Sequence, residues 1–157
     1  MNIIGKPPIN IFLFITGKIS TYLVILAFII QFNMVNFRIM YVPLFLLYIA
    51  FILFIVGIII VMVASFDLGN SLRLGIPKEK TRLITNGLYA YSRNPIYFGL
   101  FILTLSSIMF TVNPIILVLG IYGLFVHHKI ILAEEKFLFQ RFAGEYVRYR
   151  RKVKRYF

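Results

Sequence analysis

Four long apolar runs dominate the sequence, at about Ile11 to Phe32, Tyr41 to Ser65, Ile96 to Thr111 and Ile115 to Leu132. Each is near the ~20 residues that a helix needs to cross the hydrocarbon core of a bilayer. No water is available there to satisfy backbone N–H and C=O groups, so an apolar run of this length has to become a helix. Composition agrees with that constraint: 61% of the residues are apolar and the mean hydropathy is +0.90, against about 45–50% apolar residues in soluble domains. The expected fold is an all-α integral membrane protein with about four transmembrane helices, forming one membrane-embedded domain over residues 1–157. Outside the apolar runs too little chain remains for a soluble catalytic domain. Any active site has to be built on the membrane helices and their loops. Cysteine is absent, which excludes disulfides, a thiol nucleophile and thiolate metal sites.

Charge sets an orientation. Of the 17 basic residues, Arg73, Lys78, Lys80, Arg82 and Arg93 fall in the loop after the second run. Nine lie from Lys129 onward, Lys6 and Lys18 sit at the N-terminal end, and Arg38 alone lies between the first two runs. Four crossings place the three basic regions on one side, which the positive-inside rule makes cytoplasmic, with both termini there. Lys18, inside the first run, is expected to snorkel to that interface. The first run lacks the strongly basic start and small-residue cleavage site of a secretory signal. The formal charge of +12 flanks membrane segments without any nucleic-acid motif, so anionic lipid headgroups, not nucleic acid, are the expected counter-charge.

Two connections carry the polar residues. Thr111-Val112-Asn113-Pro114 is a turn signal, which predicts an antiparallel hairpin of the last two apolar runs. The loop from about Phe66 to Asn94 contains Gly69, Gly75, Pro77 and Gly87 and should be irregular. Its Leu72, Leu74, Ile76, Leu83, Ile84 and Leu88 predict packing on the membrane face. From Glu134 onward, Phe137, Leu138, Phe142, Tyr146 and Tyr149 recur at helical spacing among Lys136, Arg141 and Arg148. That pattern predicts a C-terminal amphipathic basic helix at the interface, whose simplest role is to anchor the chain.

The stretch Gly87-Leu88-Tyr89-Ala90-Tyr91-Ser92-Arg93-Asn94-Pro95-Ile96-Tyr97-Phe98-Gly99 places a cation, a proline turn and three tyrosines just before an apolar run. Glu134 and Glu135 follow the next run and return to the same surface. Two distant polar clusters thus converge at a membrane boundary, as an enzyme joining a water-soluble and a lipid-soluble reactant requires. The chain has no H-E-x-x-H, P-loop, G-x-S-x-G or G-x-G-x-x-G motif, which removes the main support for metalloprotease, nucleotide-hydrolase, serine-hydrolase and soluble dinucleotide-fold readings. His127 and His128 point about 100° apart on a helix and have no convergent third ligand, so interfacial polar residues are expected and no metal site. The two carboxylates are expected to meet cations such as Arg93, Lys136 or a ligand's ammonium. Tyr89, Tyr91 and Tyr97 offer aromatic faces to a cation as well as serving as interface anchors.

The run TRLITNGLYAYSRNPIYFG from Thr81 to Gly99, with Asn113-Pro114 and EEKFLFQRFAGEYVRYRRKV, resembles the membrane methyltransferases typified by isoprenylcysteine carboxyl methyltransferase and, more distantly, phospholipid N-methyltransferases. The resemblance covers roughly residues 69–153 and lies in the combination of G-x-Y, R-x-P-x-Y-x-G, the turn and E-E-x-x-L-x-x-x-F. It implies a pocket for S-adenosyl-L-methionine at Thr81, Arg82, Leu83, Ile84, Tyr89, Asn94, Pro95, Ile96, Tyr97 and Glu134, with Arg93 and Glu135 as the candidate catalytic pair. The donor's sulfonium, ammonium and carboxylate suit a carboxylate, aromatic rings and exposed backbone groups.

Two departures bear on the acceptor. Asn94 stands where the family usually has histidine, and it can hydrogen-bond but not titrate. Prenylcysteine enzymes carry an arginine about one helical turn before the paired glutamates, where this chain reads Lys129-Ile130-Ile131. The implied function is methyl transfer to a lipophilic, membrane-delivered acceptor, a carboxylate that needs no base or an amine that must first lose a proton. A membrane reductase using a nicotinamide cofactor and a small non-enzymatic scaffold whose basic tail binds acidic lipid are the alternatives.

Overall fold

The computed structural model of the chain describes residues 7–33, 36, 38–69 and 82–157. Its elements are α1 (Ile11–Asn33), α2 (Leu44–Leu68), a 3₁₀ turn (Gly87–Ala90), α3 (Pro95–Thr111) and α4 (Pro114–Lys152). The helices α1, α2 and α4 are long and apolar enough to cross a bilayer. With 17 residues, α3 rises about 26 Å against a hydrocarbon thickness of ~30 Å. The chain is an all-helical integral membrane protein.

Local chemistry sets the helix ends. The Asn10 side chain accepts a hydrogen bond from Phe12 N at 2.9 Å, and Asn113 accepts from Ile115 N at 2.9 Å, each quieting an otherwise orphaned N–H. Pro95 and Pro114 open α3 and α4, where a missing N–H costs nothing. Val112, left-handed at φ 41°, ends α3, and the turn between α3 and α4 falls where Asn113-Pro114 predicted it. The second run begins and ends three residues later than its apolar boundaries suggested, since Pro43 is non-helical at the start of α2.

The helices pack through small residues, because lipid gives apolar side chains no reason to prefer one another to the bilayer. A Cβ on Gly57 would lie 3.1 Å from the Gly99 carbonyl, and one on Gly99 would lie 3.1 Å from the Gly57 carbonyl. The backbones of α2 and α3 therefore touch, and Ser106 Oγ donates to Ala50 O across them at 2.7 Å. On α1, Ser20 Oγ donates to Leu119 O of α4 at 2.7 Å, and Gly17 seats Val126. Phe28, Phe54 and Phe110 stack between α1, α2 and α3 with centroid distances of 3.9 and 4.3 Å. Facing outward are large apolar side chains such as Phe12, Ile19, Ile52, Ile59, Val118 and Phe125, the surface a bilayer covers. Ser20 with Leu119 and Thr16 with Tyr122, and Ala50 with Ser106 and Gly57 with Gly99, set α1 antiparallel to α4 and α2 antiparallel to α3. The start of α1, the end of α2, the start of α3 and the far part of α4 therefore share one end of the bundle. Arg38 sits at the other end, where its Nε donates to Phe110 O at 3.0 Å.

The last helix differs from its expected form. It runs unbroken past Leu132, Glu134 and Glu135 and is interrupted at Ala143, at φ 40° and ψ −115°. Beyond that break, Tyr146, Tyr149 and Val153 pack with Leu83, Leu138 and Phe142. The amphipathic pattern is present, but its apolar side covers protein, while Glu145, Arg148, Arg150 and Arg151 are exposed. Leu83 packs there too, while Leu72, Leu74 and Ile76 lie outside the described residues. Asp67, at the end of α2, accepts from Leu88 N at 2.7 Å and crowds Gly87, whose φ of 58° suits glycine. Tyr149 donates its hydroxyl to Tyr89 O at 2.6 Å. Residues 153–157 then run back beside the turn ahead of α3: Arg93 N donates to Lys154 O at 2.9 Å, and Ser92 and Lys154 form a parallel β-bridge.

Candidate functional site

Glu134 and Glu135 are neighbours on α4, and the ~100° step of a helix sends them to different partners. Tyr97, on the first turn of α3, donates its hydroxyl to Glu134 Oε1 at 3.0 Å. Glu135 is 7% exposed and collects cations and an amide. Arg93 Nη2 lies 3.2 Å from Oε1, Asn94 Nδ2 donates to Oε1 at 3.1 Å, and Arg155 reaches both oxygens, with Nε at 3.2 Å from each and Nη2 at 3.0 Å from Oε2. A buried carboxylate is tolerable only when its charge and lone pairs are met in this way. The hydrogen bonds to Glu135 in turn raise the basicity of Arg155.

Proline geometry explains why these side chains meet. Pro95 starts α3 and Asn94 is non-helical ahead of it, at φ −136° and ψ 53°, so Arg93 and Asn94 lie off the helix end toward α4 while Tyr97 sits within the first turn. Asn94 also donates to Arg155 O at 3.3 Å, and Ser92 Oγ donates to the same carbonyl at 3.3 Å. The turn and residues 153–157 are thereby laced together. Tyr89 is buried, and that burial pushes its phenol up.

Of the residues singled out in the sequence, Arg93 and Asn94 meet at Glu135 and Tyr97 meets Glu134, two adjoining groups held together by the backbone on either side of Pro95. Leu83 packs against Tyr146, Tyr149 and Val153 and does not touch the carboxylates, Ile84 is half-buried, Ile96 is half-buried on α3, and Arg82 and Tyr91 are exposed. Thr81 lies outside the described residues. Lys136 is exposed and pairs with no glutamate among the described residues, whereas Arg93, as expected, and Arg155 both meet Glu135. Lys18 does not simply snorkel to water. It is half-buried, with Nζ 4.3 Å over the Phe14 ring, and lies within electrostatic reach of Glu134.

His127 is also placed differently from expectation. It is 3% exposed within the bundle, with Nδ1 2.9 Å from Gly123 O and 3.3 Å from Thr21 Oγ1. A carbonyl only accepts, so Nδ1 carries the proton. His128 pairs through Nδ1 with the Tyr156 hydroxyl at 2.8 Å. Among the described residues no three His, Asp or Glu side chains group as metal ligands.

Arg155 had no sequence signal, since it stands 20 residues after Glu135 outside any helical period. Only the reversal at Ala143 brings it back. Glycine at 144 next to the break was the available hint.

Residues 45–145 match the family described as phospholipid methyltransferase. The chain is 36% identical over 72 residues to protein-S-isoprenylcysteine O-methyltransferase of Saccharomyces cerevisiae, covering 45% of this chain and 30% of that protein. It is 33% identical over 101 residues to the protein of the same name from Dictyostelium discoideum, covering 62% of this chain and 43% of that one. The chain thus spans less than half the length of these relatives. The matched stretch contains α3, the paired glutamates and most of the cluster around them, and the chain belongs to the phospholipid methyltransferase family.

Proposed function

We propose that the protein transfers a methyl group from S-adenosyl-L-methionine to a lipophilic acceptor delivered from the bilayer, at the cytoplasmic end of the bundle. The observation that carries this reading is the division of labour between the two carboxylates. Glu135 is consumed by Arg93, Asn94 and Arg155. Glu134 accepts the Tyr97 hydroxyl on Oε1 and, among the described residues, has no ion-pair partner like those of Glu135, so its carboxylate suits a ligand cation.

The residues present fit the donor. Arg93 is buried with Nε and Nη1 lacking a hydrogen-bond partner among the described residues, and the buried Tyr146 hydroxyl lacks one too. Buried donors of this kind call for an acceptor, and a carboxylate matches a guanidinium fork. Glu134 suits the ammonium of the same amino-acid end, and Tyr89 and Tyr97 offer rings to the sulfonium. Arg82, Leu83 and Ile84, with Thr81, are proposed as the remaining wall. When bound, the donor supplies an electrophilic methyl group. The chain's own residues hold and align it and exclude water, which supplies much of the rate in such a displacement. Glu135 acts as the anchor that fixes Arg93, and Arg93 as the group that orients the donor.

Family membership and the relatives' names support methyl transfer to a lipid-linked acceptor. Lys129 is exposed, with Nζ 5.4 Å over the Phe125 ring, and its ammonium lacks the planar fork of the arginine that prenylcysteine enzymes carry in that neighbourhood. The acceptor class therefore stays wider than prenylcysteine, with carboxylate and amine headgroups both compatible. The cytoplasmic placement rests on Arg148, Arg150, Arg151 and Lys152 being exposed at the site's end of the bundle, where anionic headgroups would meet them. Calorimetric titration of the detergent-purified protein with S-adenosylhomocysteine tests the reading. Saturable binding lost in Glu134→Gln supports it. Binding of a reduced nicotinamide with no binding of S-adenosylhomocysteine would replace it with the reductase.

A further inference from the structure

We infer that Arg155 is a positioning residue of the donor site, acting through Glu135 to keep Arg93 free for the donor. The inference rests on the donor reading above, and it concerns a residue outside the matched span of 45–145. Two guanidinium groups share one buried carboxylate. Arg155 takes Oε2 with Nη2 at 3.0 Å and spans both oxygens with Nε at 3.2 Å. Arg93 is left to touch Oε1 through Nη2 alone at 3.2 Å. Its Nε and Nη1 are consequently unspent and buried. Without Arg155, Glu135 would be short of donors, and a guanidinium satisfies a carboxylate best with two parallel N–H groups. Arg93 would then turn its fork onto Glu135 and give up the orientation that presents Nε and Nη1.

Residues 153–157 deliver Arg155 in a fixed register. Lys154 O accepts from Arg93 N at 2.9 Å, Arg155 O accepts from Ser92 Oγ and Asn94 Nδ2 at 3.3 Å each, and the Phe157 ring lies 4.8 Å from that of Phe98. Asn94 serves both sides, holding Glu135 with the same amide that holds the Arg155 carbonyl. Lysine at 155 would restore the charge but not the fork.

The test compares two probes in calorimetry: S-adenosylhomocysteine, which has the amino-acid end, and 5′-methylthioadenosine, which lacks it. Arg155→Met should weaken S-adenosylhomocysteine by tenfold or more, the size that loss of a charged hydrogen-bond arrangement commands. The affinity for 5′-methylthioadenosine should stay within about twofold, a selectivity that a general loss of structure would not produce. Arg155→Lys, the milder change, should fall between wild type and Arg155→Met. Wild-type binding of S-adenosylhomocysteine with unchanged affinity in both variants would overturn the role of Arg155 and leave the donor site standing. Equal loss of both probes in Arg155→Lys would overturn it as well, marking a structural residue. Absence of S-adenosylhomocysteine binding in the wild type would overturn the donor reading itself and this role with it.

Discussion

Replacing Glu135 with alanine should be among the most costly single changes in the protein. The carboxylate is 7% exposed, and Arg93, its partner at 3.2 Å, has a side chain 8% exposed. Removing one partner of a buried ion pair leaves an uncompensated charge and typically costs 3–5 kcal/mol. Arg155 contributes a smaller share, because its side chain is 36% exposed and water can take over the lost pairing. Most of the penalty therefore comes from Arg93. Glu135→Ala should lose about 3 kcal/mol or more of stability, and Glu135→Ala with Arg93→Met should lose less than the sum of the two single changes. The chain has no tryptophan, so far-ultraviolet circular dichroism during a denaturing-detergent titration is a suitable assay. A cost below about 1 kcal/mol, or strict additivity of the pair, would refute the reasoning.

Other consequences can be measured with the same preparation. Gly99→Leu should drive α2 and α3 apart, since even a Cβ there meets Val61 Cγ2 at 2.7 Å and the Gly57 carbonyl at 3.1 Å; a loss of about 1–3 kcal/mol in the same titration is expected. Asp67→Ala removes the acceptor of Leu88 N and should cost about 1 kcal/mol, with faster proteolysis after Arg82 as a second readout. Tyr97→Phe frees Glu134 of its hydroxyl donor and should weaken S-adenosylhomocysteine binding while leaving the melting midpoint within a few degrees of wild type. Lys129→Ala should leave that binding unchanged, because the side chain lies over Phe125.

The helices were legible because a bilayer leaves an apolar run of ~20 residues so few options. Pro95, Asn113 and Pro114 marked helix starts for local reasons that hold in any context. The paired glutamates and the stretch from Arg93 to Tyr97 could be assigned to one surface from topology alone. Arg93 was legible as a partner of the paired glutamates and meets Glu135, but Arg155 was not, since its place depends on a backbone break. Ala143, a residue that favours helix, adopts φ 40°, and only the reversal it creates brings Arg155 onto Glu135 in place of Lys136. Burial of His127 was hidden for a similar reason: Gly123 admits Thr21 of α1 against the helix, a tertiary contact that leaves no period in the sequence. Lys18 looked like an interfacial lysine, and its half-burial in the bundle, with Nζ over the Phe14 ring, is again tertiary.

Methyl transfer to a lipid of the bilayer can be read directly. The protein, reconstituted in vesicles of a total membrane lipid extract, is given S-adenosyl-L-methionine labelled in its methyl group, and the label is followed into the organic phase. Label accumulating in lipid with wild-type protein, and reduced to background in Glu134→Gln, is the predicted result. Label that stays in the aqueous phase with wild-type protein, folded and correctly inserted, would contradict the account.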